Sequence, residues 1–244
     1  MPLKNQVEQF RKETQNFMAE QIIDWAHKTF GGRVNFASSL GEEDQVITEM
    51  IARLTPSIEV FTLDTGRLPQ ETYDLIAETR KQYPSINLKI YFPDAKAVEE
   101  MVQSKGINLF YESVENRKLC CGIRKVEPLR RALANVDVWI TGLRRLQAVT
   151  RSNGKMIEWD EANQKIKINP LVDWSLEQVR DHIKRHNVPI NSLHVKGFVS
   201  IGCAPCTRAV KPGEDIRAGR WWWENPDQKE CGLHNNPNRL KKDL

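Results

Sequence analysis

Five cysteines, arranged as two close pairs and one single residue, have the most chemically specific spacing in this sequence. Cys120 and Cys121 are adjacent, Cys203 and Cys206 have two residues between them, and Cys231 stands alone near the end. Paired thiolates ligate zinc or iron–sulfur clusters. Adjacent side chains diverge, so they reach a single ion with difficulty, whereas each can take one corner of a four-iron cubane. The spacing favours such a cluster over its alternatives, a zinc site or buried thiols beside a redox Cys-x-x-Cys.

The single thiol, Cys231, is a candidate nucleophile. It lies 13 residues from the end, in the segment Glu230-Cys231-Gly232-Leu233-His234, which Asn and Pro residues follow. A tail of this composition suits a nucleophile that must visit two partners, and His234 with nearby cations would favour the thiolate form. An incidental surface thiol is the alternative, and the residues alone leave both interpretations open.

Basic residues near the cysteines are candidate anion ligands. Arg217 and Arg220 precede three tryptophans, and their side chains would point the same way in a locally helical segment. Guanidinium groups bind phosphate or sulfate oxygens in pairs. Lys125 follows Cys121 by four residues and could lie near both a cluster and a bound anion. A solvated basic face is the alternative for each of these cations, as it is for Arg144, Arg145 and Arg151.

The elements that must position these residues alternate between strand and helix patterns. Apolar runs predict strands, and amphipathic periodicity predicts helices between them. This alternation predicts an α/β fold with a doubly wound, mainly parallel sheet. The predicted strands are 34–37, 58–63, 86–91 and 136–140, and the predicted helices are 4–30, 45–52, 72–82, 95–103 and 128–134.

Polar residues concentrate where three predicted strands end, the place at which such sheets bind ligands. The first strand runs into a hydroxyl- and glycine-rich turn and then a helix, which directs backbone N–H groups and a positive helix end at a phosphate. The residues at the three strand ends are Ser38, Ser39 and Gly41, then Asp64, Thr65, Gly66 and Arg67, then Gly142, Arg144 and Arg145.

The C-terminal third is less regular. Residues 151–170 are predicted to form a polar hairpin or loop, and Ser175 with Gln178 forms a capping box that opens a helix ending near His186. Periodicity fades from Asn187 onward. We therefore predict a nucleotide-binding α/β domain with an N-terminal helix over residues 1–190, and a cluster-binding and catalytic segment over 191–244 packed on that same domain.

Composition is that of an ordinary globular protein. No apolar run reaches the length of a membrane helix, and the N-terminus turns polar at once, so we expect no secretory signal and a cytoplasmic location. In that reducing compartment paired cysteines are more often metal ligands or redox groups than disulfides. The net charge of +4 suits an anionic small substrate but discriminates weakly against nucleic acid.

Several motifs together resemble one known family, the bacterial assimilatory adenylyl-sulfate reductases. The resemblance covers about residues 33–234 in ordered, spaced segments. These are Leu63-Asp64-Thr65-Gly66-Arg67, Cys120-Cys121-Gly122-Ile123-Arg124-Lys125-Val126, Trp139-Ile140-Thr141-Gly142-Leu143-Arg144, Gly202-Cys203-Ala204-Pro205-Cys206-Thr207-Arg208-Ala209, Arg217-Ala218-Gly219-Arg220-Trp221-Trp222-Trp223-Glu224 and Glu230-Cys231-Gly232-Leu233-His234.

The resemblance implies a fold related to the ATP-pyrophosphatase group and a role in sulfate assimilation and cysteine biosynthesis. It implies that Cys120, Cys121, Cys203 and Cys206 ligate one 4Fe–4S cluster and that Cys231 is the nucleophile. Thioredoxin or a glutaredoxin would be the reductant, and neither nucleic acid nor a membrane would be a partner; a homo-oligomer is left open. The implied substrate ligands are Ser38, Ser39, Gly41, Asp64, Thr65, Gly66, Arg67, Lys125, Gly142, Arg144, Arg151, Arg217, Arg220 and His234.

Other functions stay as alternatives. The phosphate loop departs from the family group's Ser-Gly-Gly-x-Asp form, because Leu40 stands where a glycine is expected, and this counts against ATP cleavage. A phosphoadenylyl-sulfate reductase or a dual-substrate enzyme is the nearest alternative, although such reductases generally lack the four cluster cysteines. A tRNA-thiolating enzyme of the same fold group and a zinc module that binds nucleic acid are more distant.

Overall fold

A single six-stranded sheet runs through the chain. The computed structural model describes residues 2–147 and 151–225, and its strand order is β3-β2-β1-β4-β6-β5. The strands are β1 Val34–Ala37, β2 Glu59–Leu63, β3 Asn87–Tyr91, β4 Val138–Ile140, β5 Ile157–Asp160 and β6 Lys165–Ile168. The helices are α1 Leu3–Glu13, α2 Ala19–Phe30, α3 Glu42–Leu54, α4 Gln70–Gln82, α5 Ala95–Lys105, α6 Val114–Cys121, α7 Glu127–Ala132 and α8 Leu176–His186.

The central strand pairs confirm the predicted mainly parallel sheet. β1 lies parallel to both β2 and β4, and β4 lies parallel to β6. The central strands are buried, as Phe36, Phe61 and Ile140 illustrate, because helices on both faces exclude water from a parallel sheet. β5 pairs antiparallel with β6, so the predicted polar region 151–170 contains a hairpin that closes one edge.

The predicted single helix over residues 4–30 is wrong, because α1 and α2 are separate. The Thr14 hydroxyl donates to the Phe10 carbonyl at 2.8 Å, and α2 then begins with a Gln21 side chain accepting the Met18 N–H. The apolar spacing continues across the break because Phe10 packs edge-on against Trp25 and Phe30. Sequence periodicity therefore could not distinguish two packed helices from one long helix.

Two predictions about the C-terminal third are confirmed. Ser175 and Gln178 form the reciprocal capping box at the start of α8, and Asn187 ends that helix in the left-handed region. From residue 188 to 225 the described chain contains short 3₁₀ turns, loops and one isolated antiparallel bridge between Thr207 and Arg220.

The described residues cluster into two compact units. The first comprises those of Met1–Thr62, Glu71–Lys89 and Asn135–Asn191, and the second those of Leu63–Gln70, Ile90–Ala134 and Ser192–Leu244. The core of the second unit includes Phe110, Trp221 and two of the cysteines, Cys120 and Cys206. The predicted division at about residue 190 stays a prediction. No helix within 2–147 or 151–225 combines the length and apolarity that crossing a membrane requires.

Candidate functional site

The turn after β1 in the first unit has the backbone of an anion-binding loop. Its Leu40 adopts φ +63°, a left-handed conformation that a non-glycine residue rarely takes, and Gly41 caps α3. The Ser38 hydroxyl accepts the Leu40 N–H at 3.2 Å, which holds this turn. Leucine thus takes the backbone conformation for which a glycine was expected here.

A buried carboxylate, that of Asp44, accepts hydrogen bonds from the Ser39 donors of this loop. Its Oδ2 accepts hydrogen bonds from both the N–H and the hydroxyl of Ser39, each at 2.6 Å. Burial raises the pKa of Asp44 to about 6, although the Ser39 and Gly142 hydrogen bonds oppose this rise. A Cβ on Gly142 would lie 2.1 Å from Asp44 Oδ1, so any larger residue here would force the Asp44 side chain to move. Ser39, Asp44 and Gly142 therefore form one packed unit at the strand ends.

Two predicted anion ligands of the first unit also contact protein groups. Arg144 is buried, donates to Glu43 Oε1 at 2.8 Å and 2.7 Å from two nitrogens, and reaches the Trp174 carbonyl at 3.2 Å. Arg151 donates to the Gln147 side-chain oxygen. A substrate anion would therefore compete with Glu43 for Arg144.

In the second unit, a change of helix type follows the adjacent cysteines. They are the last two residues of α6, and the chain continues as one π-helical segment, Gly122–Val126, into α7. π-helical turns are rare and occur frequently at functional sites. Cys120 is buried, Cys121 is half-buried, and both line the same cavity.

That cavity collects all four paired cysteines. Its wall also contains four cationic side chains and two aromatic rings. The lining residues are Phe110, Arg117, Cys120, Cys121, Arg124, Lys125, Cys203, Cys206, Arg220 and Trp221. The structure therefore brings residues 120–121 and 203–206 to one cavity, and their predicted ligation of a cluster stays a prediction.

The loop after β2 braces the second cysteine pair. The Thr65 hydroxyl lies 3.2 Å from Cys203 Sγ, and the Arg67 carbonyl accepts the Ala204 N–H at 2.8 Å. Asp64 Oδ1 accepts the Gly66 N–H at 2.7 Å, and Gly66 takes φ +70°. The Arg67 guanidinium is held by the Ile107 carbonyl at 2.6 Å and lies over the Phe110 ring. Thr65 and Arg67 thus contact the segment that carries Cys203, and the Asp64–Gly66 hydrogen bond holds their loop.

The cysteine thiols have different electrostatic surroundings. Burial raises the pKa of Cys206 to about 12, with nearby Cys203 and Cys121 adding to the rise. Burial also raises the pKa of Cys120, against the opposing effect of Arg124. At Cys203, burial would raise the pKa, but Lys125, the Thr65 hydrogen bond and Arg220 outweigh it, and the pKa is lowered. Cations therefore stabilise negative charge on one side of the cavity.

Several N–H donors of the cavity wall have no acceptor within the described chain. These are Arg124 Nε, Arg220 Nε and Trp221 Nε1. Buried donors without partners carry a free-energy cost that an acceptor would remove. A thiolate- and sulfide-rich anionic group would provide such acceptors, because donors near a cluster hydrogen-bond its sulfurs.

The distances between the four cysteine sulfurs indicate which metal group they fit. A tetrahedral zinc site, with Zn–S distances of about 2.3 Å, places its sulfurs about 3.8 Å apart. Within the described ranges, no three of these sulfurs lie within 4.8 Å of one another, since the one group that meets this limit is elsewhere. The cavity therefore fits an anionic group with more widely spaced corners better than it fits a single zinc ion.

Sequence reasoning missed a buried ion pair between Arg117, which lines the cavity, and Glu224. Arg117 and Glu224 make two parallel hydrogen bonds of 2.8 Å, and their side chains are 1% and 3% exposed. The Arg117 guanidinium also lies over the Trp221 ring at 4.7 Å. Arg124, likewise missed, donates to the Thr65 carbonyl at 2.6 Å. A signal for Arg124 was available, because it adjoins Lys125 in the cysteine motif.

The two predicted arginines before the tryptophans have different locations. Arg220 is buried, lines the cavity and lies over Trp221, and its close approach leaves no room for a Cβ on Gly202. Arg217 is absent from the residues that line the cavity and lies in a turn rather than a helix. Cys231 and His234 lie outside the described residues, so their predicted roles stay predictions.

Comparison with known proteins gives a consistent result. Residues 33–209 match the family model described as the phosphoadenosine phosphosulfate reductase domain. Adenosine 5'-phosphosulfate reductase from Allochromatium vinosum is 54% identical over 82% of this chain and 77% of its own. Its counterpart from Neisseria meningitidis serogroup B is 50% identical over 88% of both chains. The crystal structure of phosphoadenylyl-sulfate reductase from Candida auris, a phosphate complex, superposes with a TM-score of 0.72 at 30% identity, covering 85% of this chain and 97% of that one.

Proposed function

The chain belongs to the phosphoadenosine phosphosulfate reductase family, and we propose that it reduces adenylyl sulfate to sulfite and AMP in sulfate assimilation. The observation that carries this proposal is the cavity of the second unit, in which four cysteines and four cations converge. The curated relatives at 50% to 54% identity, which are named for this activity, support it. Substrate and product are soluble anions, and we propose a cytoplasmic location.

We propose that Cys120, Cys121, Cys203 and Cys206 hold one 4Fe–4S cluster. The support is the number and convergence of the thiols, the spread of their sulfurs, and the unpartnered donors of Arg124, Arg220 and Trp221. When bound, the cluster would tie the end of α6 to the 203–206 turn and add a redox couple that no step below uses.

We propose substrate-binding residues in both units, and we assign them one unit at a time. In the first, Ser38, Ser39, Gly41 and Gly142 would bind a phosphate group. The loop's N–H groups and the α3 N-terminus suit an anion, and Asp44 would give up its Ser39 donors on binding. Protonation of Asp44 would ease this exchange, because a neutral carboxyl leaves the loop without a competing negative charge. Arg144 and Arg151 are proposed to assist.

In the second unit, cations are proposed to receive the sulfate group. Lys125 and Arg220 line the cysteine cavity, and both lower the pKa of Cys203, which indicates that their fields stabilise negative charge there. Preorganised cations of this kind stabilise charge that develops as a leaving group departs. Asp64, Thr65, Gly66 and Arg67 would shape this region, and Arg217 and His234 complete the proposed set.

The first chemical step is assigned to Cys231. Its thiolate would attack the sulfonyl sulfur of adenylyl sulfate, forming a sulfur–sulfur bond. The bond between that sulfur and the phosphate oxygen breaks, and its electron pair leaves on the phosphate of AMP. The product on the protein is a cysteine S-sulfonate.

The second step requires an external dithiol, which we propose is thioredoxin or a glutaredoxin. Its low-pKa thiolate attacks Cys231 Sγ, and sulfite leaves with the electron pair of the sulfur–sulfur bond. The second thiol of the dithiol then resolves the mixed disulfide. This step returns Cys231 to its thiol form and oxidises the dithiol, so two electrons reach the substrate sulfur.

One experiment tests the nucleophile. Protein incubated with adenylyl sulfate in the absence of any thiol reductant should release one AMP per chain and gain the mass of one sulfonate on Cys231. A Cys231→Ser variant should do neither and should retain its iron. Release of AMP from a chain whose Cys231 is unmodified would refute this step.

A second experiment tests the cluster. Anaerobically purified protein should contain about four irons per chain with matching sulfide, as a cysteine-ligated cubane requires. Cys121→Ser should lose iron and activity together. Colourless active protein that holds zinc instead would contradict the assignment.

Phosphoadenylyl sulfate is the second candidate substrate, and the Candida auris structure is the observation that favours it. The higher identity to relatives named for adenylyl sulfate makes that nucleotide the first choice. Comparing kcat/KM for the two nucleotides on the same preparation decides between them.

A further inference from the structure

A glutamate and two histidines meet in the first unit, apart from every residue assigned above. Glu49 lies on α3, and His182 and His186 lie one turn apart on α8. Within the part of the chain that the structure describes, they are the one group of three or more His, Cys, Asp or Glu residues whose ligand atoms all lie within 4.8 Å of one another.

The distances within this group already approach those of a metal site. His182 Nε2 lies 2.8 Å from Glu49 Oε2, and His186 Nδ1 lies 3.6 Å from Glu49 Oε1. Metal–nitrogen and metal–oxygen bonds of about 2.0–2.2 Å place tetrahedral ligand atoms about 3.4 Å apart. The two separations run to different oxygens of Glu49 and lie on either side of that value. Because one ligand atom of each residue lies within 4.8 Å of the other two, no pair needs to approach by more than about 1.4 Å.

The two histidines are arranged as a helical chelating pair. They are four residues apart, the spacing at which zinc-binding helices present two imidazoles from one face. Their rings stack at 4.1 Å with an angle of 18° between planes. His182 is buried, whereas His186 is 34% exposed, which leaves a path for an ion and for a water in the remaining coordination position.

The charges of the group suit a cation and also limit its affinity. The Arg53 guanidinium beside Glu49 favours the ionised carboxylate, which is the form that a cation binds. Arg53 Nε donates to Oε1 at 2.8 Å, an orienting contact of the kind that supports ligands in metal sites, and Arg53 Nη2 makes a longer contact of 3.5 Å with Oε2 that a bound metal would displace. The positive charge of Arg53 will weaken the site compared with one that lacks it.

We propose that Glu49, His182 and His186 bind one divalent transition-metal ion of the zinc class. The ion would take the position of the proton that His182 shares with Glu49, so that a bond from His182 Nε2 through the metal to Glu49 replaces the present hydrogen bond. It would join α8 to α3, the helix that begins at Glu42 directly after the loop containing Ser39. The site needs none of the five cysteines.

The first test measures Zn²⁺ binding to cluster-loaded protein by competition with a chromophoric chelator. A Cys231→Ser background removes the lone thiol as a competing ligand. This protein should bind one more zinc equivalent than its His186→Ala derivative, or should bind that zinc at least about 100-fold more tightly. Loss of a residue that hydrogen-bonds to a metal ligand lowers metal affinity 10- to 100-fold, and loss of a ligand itself should lower it by more. His27→Ala, which removes a helical histidine outside the group, should bind zinc as the background does.

Two further readouts identify the ligands and the consequence. X-ray absorption at the zinc edge should show nitrogen and oxygen neighbours at about 2.0–2.2 Å and no sulfur at about 2.3 Å. Free Zn²⁺ at 100 times its dissociation constant should raise the Tm of the background protein by about 5–10 °C, and should not raise that of His186→Ala. Equal binding by both proteins, sulfur scattering, or no binding up to millimolar zinc would overturn the proposal. In that event the trio is a hydrogen-bonded clamp between helices.

Discussion

Replacing Glu224 by glutamine should destabilise the second unit far more than an ordinary surface change. The carboxylate of Glu224 is the partner of Arg117, whose side chain is 1% exposed and lines the cysteine cavity. Glutamine keeps the size and one acceptor but removes the negative charge. Arg117 would then be a buried cation that has lost one hydrogen bond and faces a neutral side chain at position 224.

The magnitude follows from burial and geometry. Breaking a buried ion pair by removing one partner costs about 3–5 kcal/mol, because the remaining charge is left uncompensated. The two 2.8 Å hydrogen bonds and side-chain exposures of 1% and 3% place this pair in that class. For a chain of this size the cost corresponds to a fall in Tm of about 6–20 °C. Stacking of Arg117 on Trp221 offsets a small part of it.

The assay is urea unfolding of cluster-loaded protein, followed at once by far-ultraviolet circular dichroism and by the cluster's visible absorbance. Glu214→Gln is the matched control, since Glu214 pairs with Arg208 in the same unit but the side chains are 31% and 35% exposed. Partly exposed pairs contribute about 1 kcal/mol or less. We expect a large shift of the urea midpoint for Glu224→Gln, with early loss of cluster absorbance, and a small shift for the control.

Equal midpoints for the Glu224→Gln and Glu214→Gln variants would refute the reasoning. A second comparison isolates the stranded charge from general disruption. Arg117→Met in the Glu224→Gln background removes the unpaired cation, so the double variant should recover part of the lost stability. A double variant that is less stable than Glu224→Gln would show that packing, and not charge, is responsible.

Three further predictions concern single residues. Lys125→Ala should retain its iron while turnover falls about 100-fold, the effect expected when one group that stabilises developing charge is lost. The control Lys118→Ala, which changes an exposed lysine on α6, should alter neither iron content nor turnover. Unchanged turnover in Lys125→Ala would remove Lys125 from the site. The pKa of Asp44 is about 6 in the folded protein, above its ordinary 3.8, so the folded state binds the extra proton and stability falls as pH rises through this window. Between pH 5 and pH 7 that group should lower stability by about 1 kcal/mol. Asp44→Asn should abolish this component of the urea-midpoint profile, and an identical profile would contradict the assignment. Gly142→Ala should cost about 1–3 kcal/mol, because its Cβ would lie 2.1 Å from Asp44 Oδ1, and in an Asp44→Ala background the same change should cost clearly less in the same assay.

The strands and most helices could be predicted because each depends on a local pattern. The run 34–37 and the Ser175–Gln178 capping box favour a strand and a helix start through contacts close in the sequence, and both are present as predicted. The break between α1 and α2 could not be predicted, because Phe10 and Trp25 continue one apolar face across it. The π-helical segment after Cys121 was not predicted either, because the apolar periodicity used to identify helices does not distinguish a π-helical turn from an α-helix.

The sequence by itself determined the chemistry that is available. Four thiols in two pairs, a fifth near the end and a hydroxyl-rich turn after a strand can be identified without coordinates, and so can the family. Each of these depends only on residue type and spacing along the chain.

Only the tertiary structure decided which charges face the cysteines. Arg124 and Arg220 line their cavity, whereas Arg144, an equal candidate in the sequence, is paired with Glu43, and Arg117 is neutralised by a glutamate 107 residues away. The effect of a cation depends on its distance to a partner and on its exposure to water. Both quantities are set by segments far apart in the chain, and so they cannot be read from spacing.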